Sequence, residues 1–394
     1  MKMKSIYPVV AVLLLSTLNS PFSTVFAQGS LTPPGVPAPT MKSLDQVQPR
    51  TPISSVPYTI TNSGSYYLTT NLVGVSGQHG IVVLAENVSI DLNGFALIGT
   101  NSALSGIQIP FSVNNIFIGN GTVRNWGIHG VNAGGASGSI FERLRIYFNA
   151  GTGLQVGANC RVDGCTLTFN GAGIGTAQNC VVNGCTVYGN NGSGLFTGNN
   201  CSIAACTIYQ NNYGISAATY CLVKDCTAYA NTNAGITAGN YSTIDHCTAN
   251  LNQTGISGGG NNLILACAAS LNSSNGIVVL NGCTIKDCIV SQNAGSGIRV
   301  GNNCLVTGNN ATSNGNAGIT NLAGIYATGS DNQVVDNTAT SNSRGIKSDG
   351  GYNLIIKNKV TLSSAADFDV TANDRTGPVS GTAATNSPWA NFSY

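Results

Sequence analysis

CRVDGCTLTFN, at Cys160–Asn170, is the first of four related segments that follow one another along the chain. The other three are CVVNGCTVYGN at Cys180–Asn190, CSIAACTIYQN at Cys201–Asn211 and CLVKDCTAYAN at Cys221–Asn231. Each segment is followed by a Gly and an aliphatic residue, which gives a period of about 21 residues. Short apolar runs separated by turn residues at such a period are typical of a β-solenoid, in which each repeat forms one coil.

Alternate residues within one repeat predict which side chains enter the core. In Cys180–Asn190 we expect Val182 and Val187 to point inwards, and Thr186 and Tyr188 to point outwards. The Gly before the aliphatic residue predicts a turn with positive φ. The Gly–aliphatic pairs, counted along the chain, predict about twelve coils.

Ten repeats place Asn at the bend that follows the second apolar run. This regularity predicts an internal ladder, in which each amide bonds the coils above and below it. The ten residues are Asn149, Asn170, Asn190, Asn211, Asn231, Asn252, Asn272, Asn293, Asn314 and Asn342.

The thirteen cysteines fall into two columns of the repeat. Cysteines of one coil are too far apart along an extended segment for a disulfide, and those of one column have parallel side chains with unfavourable geometry. No Cys-x-x-Cys pair indicates a metal site. The pattern therefore predicts two ladders of buried free thiols that pack as small hydrophobes. The columns are Cys160, Cys180, Cys201, Cys221, Cys283 and Cys304, and Cys165, Cys185, Cys206, Cys226, Cys247, Cys267 and Cys288.

Composition limits the range of partners. Only 8% of the 394 residues are charged, against about 25% in ordinary globular proteins, and the net charge is +2. A protein that binds nucleic acid or an anionic membrane through its charge carries a strongly basic surface, so we expect neither partner.

The first residues are typical of a secretory signal peptide, with Lys2 and Lys4 before a short apolar run and a small-residue cleavage site ending at Ala27. The apolar run is too short for a transmembrane anchor. We therefore expect a secreted or cell-surface protein. The predicted boundaries are 1–27 for the signal peptide, 28–57 for a Pro-rich linker, 58–79 for an N-terminal capping hairpin, 80–361 for the solenoid and 362–394 for a C-terminal cap.

The chain resembles the right-handed parallel β-helix proteins of the pectate-lyase-like superfamily, and in particular exported bacterial members without an assigned activity. The run NVSIDLNG at Asn87–Gly94 and the repeated Asn…Gly-Ile frame carry this resemblance. It implies an all-β fold, a single-stranded right-handed parallel β-helix. The superfamily includes lyases, hydrolases, epimerases, adhesins and scaffolds, so the fold does not define an activity. The Asp clusters of its lyases and the Asp pairs of its hydrolases are missing from this sequence.

Two outward columns are candidate sites. Registering the repeats places Glu142 beside Asp163 on the next coil, with Arg161 on the same face. Two carboxylates at the spacing of neighbouring strands are suited to binding Ca²⁺ or to acid and nucleophile roles in catalysis. The alternative interpretation is a solvated surface pair partly neutralised by arginine.

The second candidate is a column of tyrosines beside a column of threonines. Exposed aromatic rings can stack on sugars, and hydroxyls can bond sugar hydroxyls. The alternative is that these side chains only favour β-structure. The candidate ligand-binding residues are Tyr147, Tyr188, Tyr209, Tyr229, Thr186 and Thr207.

The sequence thus favours a carbohydrate-associated protein that binds polysaccharide without turnover and needs no cofactor. The first alternative is a polysaccharide lyase or glycoside hydrolase that uses Glu142, Asp163 and Arg161, with Ca²⁺ if it is a lyase. The second alternative is a passive structural or adhesive rod.

Overall fold

The structure, a computed structural model, describes residues 49–100, 102–315, 321–382 and 386–394. The predicted signal peptide and most of the predicted linker lie outside the described residues. Arg50–Tyr394 form one compact unit, a solenoid of parallel strands in which each coil contributes one strand to each of three faces, named faces 1, 2 and 3. No helix among the described residues has the length and hydropathy of a membrane span.

Face 1 is a sheet of fifteen strands, one from each coil, and each strand pairs in parallel with that of the next coil. Its strands are Tyr58–Ile60, Ile81–Val83, Ile107–Gln108, Val131–Ala133, Thr152–Val156, Ala172–Thr176, Ser193–Thr197, Tyr213–Ala217, Ala234–Ala238, Thr254–Gly258, Ile277–Val279, Ile298–Val300, Ile325–Ala327, Arg344–Ser348 and Ala366–Asp369.

Faces 2 and 3 are joined into one sheet because Ile116–Arg124 and Ile140–Tyr147 run through both. The other strands of face 2 are Thr51–Ile53, Gly64–Leu68, Val88–Asp91, Arg161–Asp163, Val181–Asn183, Ser202–Ala204, Leu222–Lys224, Thr243–Asp245, Leu263–Leu265, Thr284–Lys286, Leu305–Thr307, Gln333–Val335, Leu354–Ile356 and Arg375–Thr376.

Face 3 follows face 2 in each coil and carries the predicted tyrosine and threonine columns. Its other strands are Leu72–Val73, Ala96–Ile98, Thr166–Thr168, Thr186–Tyr188, Thr207–Tyr209, Thr227–Tyr229, Thr248–Asn250, Ala268–Ser270, Ile289–Ser291, Asn310–Thr312, Thr338–Thr340, Lys359–Thr361, Val379–Ser380 and Asn391–Ser393. A separate pair, Val113–Asn114 and Ala136–Ser137, forms a short two-stranded sheet.

The structure has more coils than the twelve predicted. The fifteen strands of face 1 give about fifteen coils. The first and last of these strands, Tyr58–Ile60 and Ala366–Asp369, lack the Gly–aliphatic pair that was counted. The pair Gly127-Ile128 was also counted at the wrong position. Ile128 is exposed, and the face 1 strand of this coil begins at Val131, after Gly130.

The predicted N-terminal hairpin at 58–79 is wrong. Tyr58–Ile60 pairs in parallel with Ile81–Val83 on face 1, whereas Gly64–Leu68 pairs in parallel with Thr51–Ile53 and Val88–Asp91 on face 2. The same pairing places Thr51–Ile53 within the solenoid rather than in the linker. A turn between two alternating runs looks the same in sequence whether the chain folds back or bends to the next face of a coil.

The Asn ladder predicted from the sequence is confirmed. The ten asparagines are buried, and each of the first nine bonds the next. For example, the backbone N–H of Asn170 donates to Oδ1 of Asn190 at 2.8 Å, and Nδ2 of Asn170 donates to the same oxygen at 3.1 Å. The ladder satisfies backbone groups that the bend removes from the sheets, which burial would otherwise penalise.

All thirteen cysteines are buried free thiols, as predicted. They do more than pack as hydrophobes, because they take the hydrogen-bonding place that Asn holds elsewhere in the same columns. The backbone N–H of Cys283 donates to Sγ of Cys304 at 3.4 Å, and that of Cys304 donates to Oδ1 of Asn332 at 2.8 Å. The thiol of Cys304 in turn donates to the carbonyl oxygen of Leu280 at 3.2 Å.

The thiols also affect one another's protonation. Hydrogen bonds with Cys165 and Cys206, followed by burial, raise the pKa of the Cys185 thiol. Hydrogen bonds with Cys206 and Cys247, followed by burial, raise the pKa of Cys226. These thiols are therefore held protonated at neutral pH.

Close packing, not positive φ, requires the Gly of the Gly–aliphatic pair. Gly173 has no positive φ, but a Cβ there would lie 2.2 Å from the carbonyl oxygen of Gly194 and 2.3 Å from Cγ1 of Val187. The prediction of a positive-φ turn at this position is therefore wrong. A side chain is excluded because adjacent coils approach too closely at the bend.

The predicted boundary between the solenoid and the C-terminal cap at 361 is too early, because Ala366–Asp369 and Arg375–Thr376 still pair in parallel with the preceding coil on faces 1 and 2. Asn391–Ser393 pairs in parallel with Lys359–Thr361 on face 3. The backbone N–H of Asn358 donates to Oδ1 of Asn391 at 3.0 Å, which continues an internal ladder to the end of the solenoid.

Candidate functional site

The tyrosine column lies on face 3 as predicted. Tyr188, Tyr209 and Tyr229 are direct neighbours on three successive coils. The ring centroids are 4.7 Å apart for Tyr188 and Tyr209 and 4.8 Å apart for Tyr209 and Tyr229, with interplanar angles of 6° in both cases. Tyr147 belongs to the same column but is separated from Tyr188 by Thr168.

Two phenylalanines that the sequence analysis missed make the aromatic surface continuous. Phe148 and Phe169 follow the outward position of face 3, and each has positive φ, which turns the side chain out at the bend. They are 56% and 50% exposed and stack with centroids 5.3 Å apart. Phe148 contacts the Tyr147 ring edge-on, and Phe169 contacts the Tyr188 ring edge-on, at 5.5 and 5.8 Å.

Six rings on five coils therefore form one surface, called here the aromatic strip. Its members, in the order of their contacts, are Tyr147, Phe148, Phe169, Tyr188, Tyr209 and Tyr229. A search for Phe immediately after the outward Tyr or Thr of the repeat could have found the two missing members.

The stacking changes what this surface can offer a ligand. The ring faces of Tyr188, Tyr209 and Tyr229 are largely occupied by one another, so that the ring edges and hydroxyl groups face outwards. Burial, followed by the neighbouring Tyr188 and Tyr229, raises the pKa of Tyr209. Its hydroxyl group is therefore a hydrogen-bond donor at neutral pH.

The predicted threonine column runs beside the strip. Thr166, Thr186, Thr207, Thr227 and Thr248 are neighbours on successive coils. Thr186 and Thr207 are half-buried, two residues before Tyr188 and Tyr209 on the same strands. Phenol and threonine hydroxyls therefore form two parallel rows along the solenoid axis.

A cavity of about 350 Å³ opens beside the phenylalanine end of the strip. Phe148 and Phe169 form its apolar wall. Asn191 and backbone groups of the bend supply polar atoms. The volume is within the usual range for small-molecule sites, about 300–1,000 Å³.

The acidic pair on face 2 is also in register as predicted. Glu142 is the direct neighbour of Asp163, and Asp163 is the neighbour of Asn183. Arg161 lies 3.4 Å from Asp163, between Nη2 and Oδ2, and Asn183 donates to Oδ1 of Asp163 at 2.9 Å. Glu142 pairs with Arg143. Each carboxylate thus has its own arginine.

Arg143 and Asp91 are site residues that the sequence analysis missed. Arg143, with φ of 50°, donates from Nε to Oδ1 of Asn120 at 2.8 Å, and Asn120 donates to Asp91 at 3.2 Å. Burial raises the pKa of Asp91, but hydrogen bonds from the Asn93 backbone, Asn120 and Arg50 together lower it below its ordinary value. A polar network therefore connects Asp91 to the acidic pair across two coils.

No group of three or more His, Cys, Asp or Glu side chains within the described ranges is arranged to hold a metal ion. Glu142 and Asp163 are two potential oxygen ligands, and the nearest side chains to them are arginines and an amide. Ca²⁺ usually takes six to eight oxygen ligands, so a calcium site here would depend largely on water or on a substrate.

Comparison with known proteins agrees with the fold. The model of the right-handed β-helix region family matches residues 194–324. The fold is a right-handed parallel β-helix. The resemblance stated from the sequence is thereby confirmed for the fold. No curated protein sequence is significantly similar to this β-helix.

Solved structures with the same architecture come from enzymes and phage tailspikes. The A-module of the Azotobacter vinelandii mannuronan C-5 epimerase AlgE4 has a TM-score of 0.51 and 15% identity over 81% of this chain and 91% of its own. The A-module of AlgE6 from the same organism has a TM-score of 0.46 and 14% identity over 84% and 91%. Tailspike protein 3 of bacteriophage CBA120 has a TM-score of 0.39 and 12% identity over 88% and 61%. At these identities the likeness is one of fold.

Proposed function

We propose that this β-helix binds a polysaccharide along face 3 and does not cleave it. The observation that carries the proposal is the aromatic strip, whose six rings lie side by side along the axis. Large exposed aromatic surfaces on a soluble protein commonly mark binding sites. A linear repeating ligand suits a linear repeating surface.

The chemistry of the strip fits a sugar chain. Its hydroxyl rows recur once per coil, at about the 4.8 Å spacing of paired strands. Tyr209 and its two stacked neighbours would donate hydrogen bonds from their outer edges, while Thr186 and Thr207 would bond hydroxyls on the other side of the chain. The exposed rings of Phe148 and Phe169 would cover apolar sugar faces at one end.

The proposal also names the class of ligand, a polysaccharide. The AlgE4 module is named for its action on mannuronan, a polysaccharide. The proposed export, through a signal peptide cleaved after Ala27, would place this protein at a cell surface or in the medium, where such polymers occur.

The alternative function is polysaccharide cleavage at face 2, with Glu142, Asp163 and Arg161 as catalytic residues and Ca²⁺ if the reaction is a lyase reaction. The observation in its favour is the direct pairing of Glu142 with Asp163 on adjacent coils. Pairing of both carboxylates with arginine favours a structural role instead, because each charge already has a partner.

One experiment separates these functions. Mature protein from Gln28 would be incubated with insoluble neutral and uronic-acid polysaccharides, with and without Ca²⁺. The bound fraction, new reducing ends and the ultraviolet absorbance of unsaturated uronates would all be measured. We expect retention without product. Product that disappears in Glu142→Gln would establish the enzyme, and neither retention nor product would favour a passive rod.

A further inference from the structure

A second polar cluster lies on face 1 near the C-terminal end, far along the chain from the aromatic strip. Arg299, Tyr326 and Lys347 are direct neighbours on three successive coils. The guanidinium carbon of Arg299 is 5.7 Å from the centroid of the Tyr326 ring, and Nζ of Lys347 is 4.7 Å from it. The ring thus lies within reach of two cations, each at a distance typical of cation–π contact.

Only one of these cations lacks a carboxylate. Lys347 is buried and pairs with Asp349, which also accepts a hydrogen bond from the hydroxyl of Tyr326. Arg299 is exposed, and no acidic side chain of the described residues forms an ion pair with it. The Tyr326 ring therefore positions Arg299 while its guanidinium group stays available to an anion.

A cavity of about 350 Å³ opens beside Arg299 and Tyr326. Its lining includes the side chains of Ser273, Ser274 and Asn275 at the bend between faces 3 and 1. Nδ2 of Asn275 donates to Oγ of Ser274 at 3.2 Å, and its Oδ1 accepts from the backbone N–H of Ser296 at 2.9 Å. These bonds hold the polar wall in place. The cavity therefore combines a cation, an aromatic ring and short polar side chains.

We propose that this cavity, called here the Arg299 cavity, binds one carboxylated sugar residue of an acidic polysaccharide. A guanidinium group matches the two oxygens of a carboxylate and bonds both at once. The serine and asparagine side chains are suited to sugar hydroxyls, and Tyr326 supplies an apolar edge. An uncharged sugar would leave Arg299 without a partner, so the site selects for the acid.

The cavity lies on the same edge of the β-helix as the cavity beside Phe169. The ladder residues Asn170 and Asn272, which precede the two sites, are five coils apart. At about 4.8 Å per coil the two sites are separated by roughly 24 Å. One extended polymer could contact both. The inference rests on the proposed function only in taking a sugar as the ligand.

Isothermal titration calorimetry with tetragalacturonate and with cellotetraose, a neutral tetrasaccharide, tests the inference. We expect tetragalacturonate to bind and cellotetraose to bind at least about tenfold more weakly. Arg299→Gln should weaken tetragalacturonate binding by about tenfold, the effect of losing one charge-assisted pair. Lys286→Gln removes an exposed positive charge on face 2 and should leave binding unchanged.

Two results would overturn the inference: equal binding of the two tetrasaccharides, or unchanged affinity in Arg299→Gln. Displacement of tetragalacturonate by equimolar inorganic sulfate would also overturn it, by showing a site for any small anion. The test is separate from the test of the aromatic strip. Tyr188→Ala/Tyr209→Ala should leave tetragalacturonate affinity intact, even if it abolishes retention on insoluble polysaccharide.

Discussion

The rings of Tyr188 and Tyr209 are stacked on neighbouring coils of face 3, with centroids 4.7 Å apart and an angle of 6° between the ring planes. This stacking results from the register of the coils, because residues one repeat apart are direct neighbours in a parallel sheet. A repeated residue therefore becomes a continuous surface. The same geometry produces the Asn ladder, the thiol ladders and the threonine row.

Asn190→Ala tests the contribution of the Asn ladder. Oδ1 of Asn190 accepts from the backbone N–H and from Nδ2 of Asn170, all of them buried. The substitution leaves the buried backbone N–H of Asn170 without a partner and leaves its Nδ2 with only the carbonyl oxygen of Ile146. We expect a loss of about 2–4 kcal/mol in the free energy of unfolding. Chemical denaturation would measure it.

The matched control for that substitution is Asn199→Ala. Asn199 is exposed and accepts one hydrogen bond, from the backbone N–H of Thr219 at 3.2 Å. Water can replace this bond, so we expect a loss of less than about 1 kcal/mol. Equal losses in both variants would contradict a special role for the ladder.

Cys304 tests whether the thiols act as hydrogen-bonding substitutes for Asn. Its Sγ accepts from the backbone of Cys283, and the next member of the column is Asn332. We expect Cys304→Asn to retain stability within about 1 kcal/mol. Cys304→Val keeps the apolar volume but lacks an acceptor, so it should lose about 1–3 kcal/mol. If the valine variant is the more stable, the thiol contributes only by packing.

Alkaline pH should destabilise the protein because burial of the thiols disfavours their ionised form in the folded chain. Cys185 and Cys226 stay protonated in the folded chain, whereas unfolded thiols ionise near pH 8.5. A raised folded pKa contributes stability that is complete below the unfolded pKa and is lost as pH rises above it. Each such thiol should lower the free energy of unfolding by about 1.4 kcal/mol per pH unit above 8.5.

Thermal unfolding between pH 7 and pH 10, under a reducing atmosphere without oxygen, would measure this effect. The thiolate absorbance of the folded protein provides the control, since it should stay low at pH 9. A midpoint that does not change from pH 8 to pH 10 would contradict the prediction. A high thiolate absorbance of the folded protein at pH 9 would also contradict it, because it would show that the thiols ionise in the native state.

Much of the fold could be predicted because the signal is repeated. A single Cys-x-Val in isolation says little, but the alternation around Val182 and Val187 recurs in every regular coil. The ends of the chain were harder to predict. Tyr58–Ile60 and Gly64–Leu68 resemble a hairpin locally, and only their partners on later coils show that they belong to different faces.

The candidate site was predictable only in part, for a physical reason. The register of Tyr188 with Tyr209, and of Glu142 with Asp163, follows from the repeat alone. The roles of Phe169 and Arg143 depend on positive φ at a bend, which directs their side chains towards neighbouring columns. The Arg299 cavity depends on contacts among several coils, in a region where the repeat is interrupted by an insertion.

The most direct test of the account compares two pairs of stacked tyrosines for retention on insoluble polysaccharide. Tyr188→Ala/Tyr209→Ala removes the centre of the aromatic strip. Tyr220→Ala/Tyr241→Ala removes an exposed pair, stacked at 5.2 Å, at a different bend. We predict that the first variant loses at least about tenfold in affinity while the second binds like the wild type. Equal retention of both variants and the wild type would contradict binding by the strip.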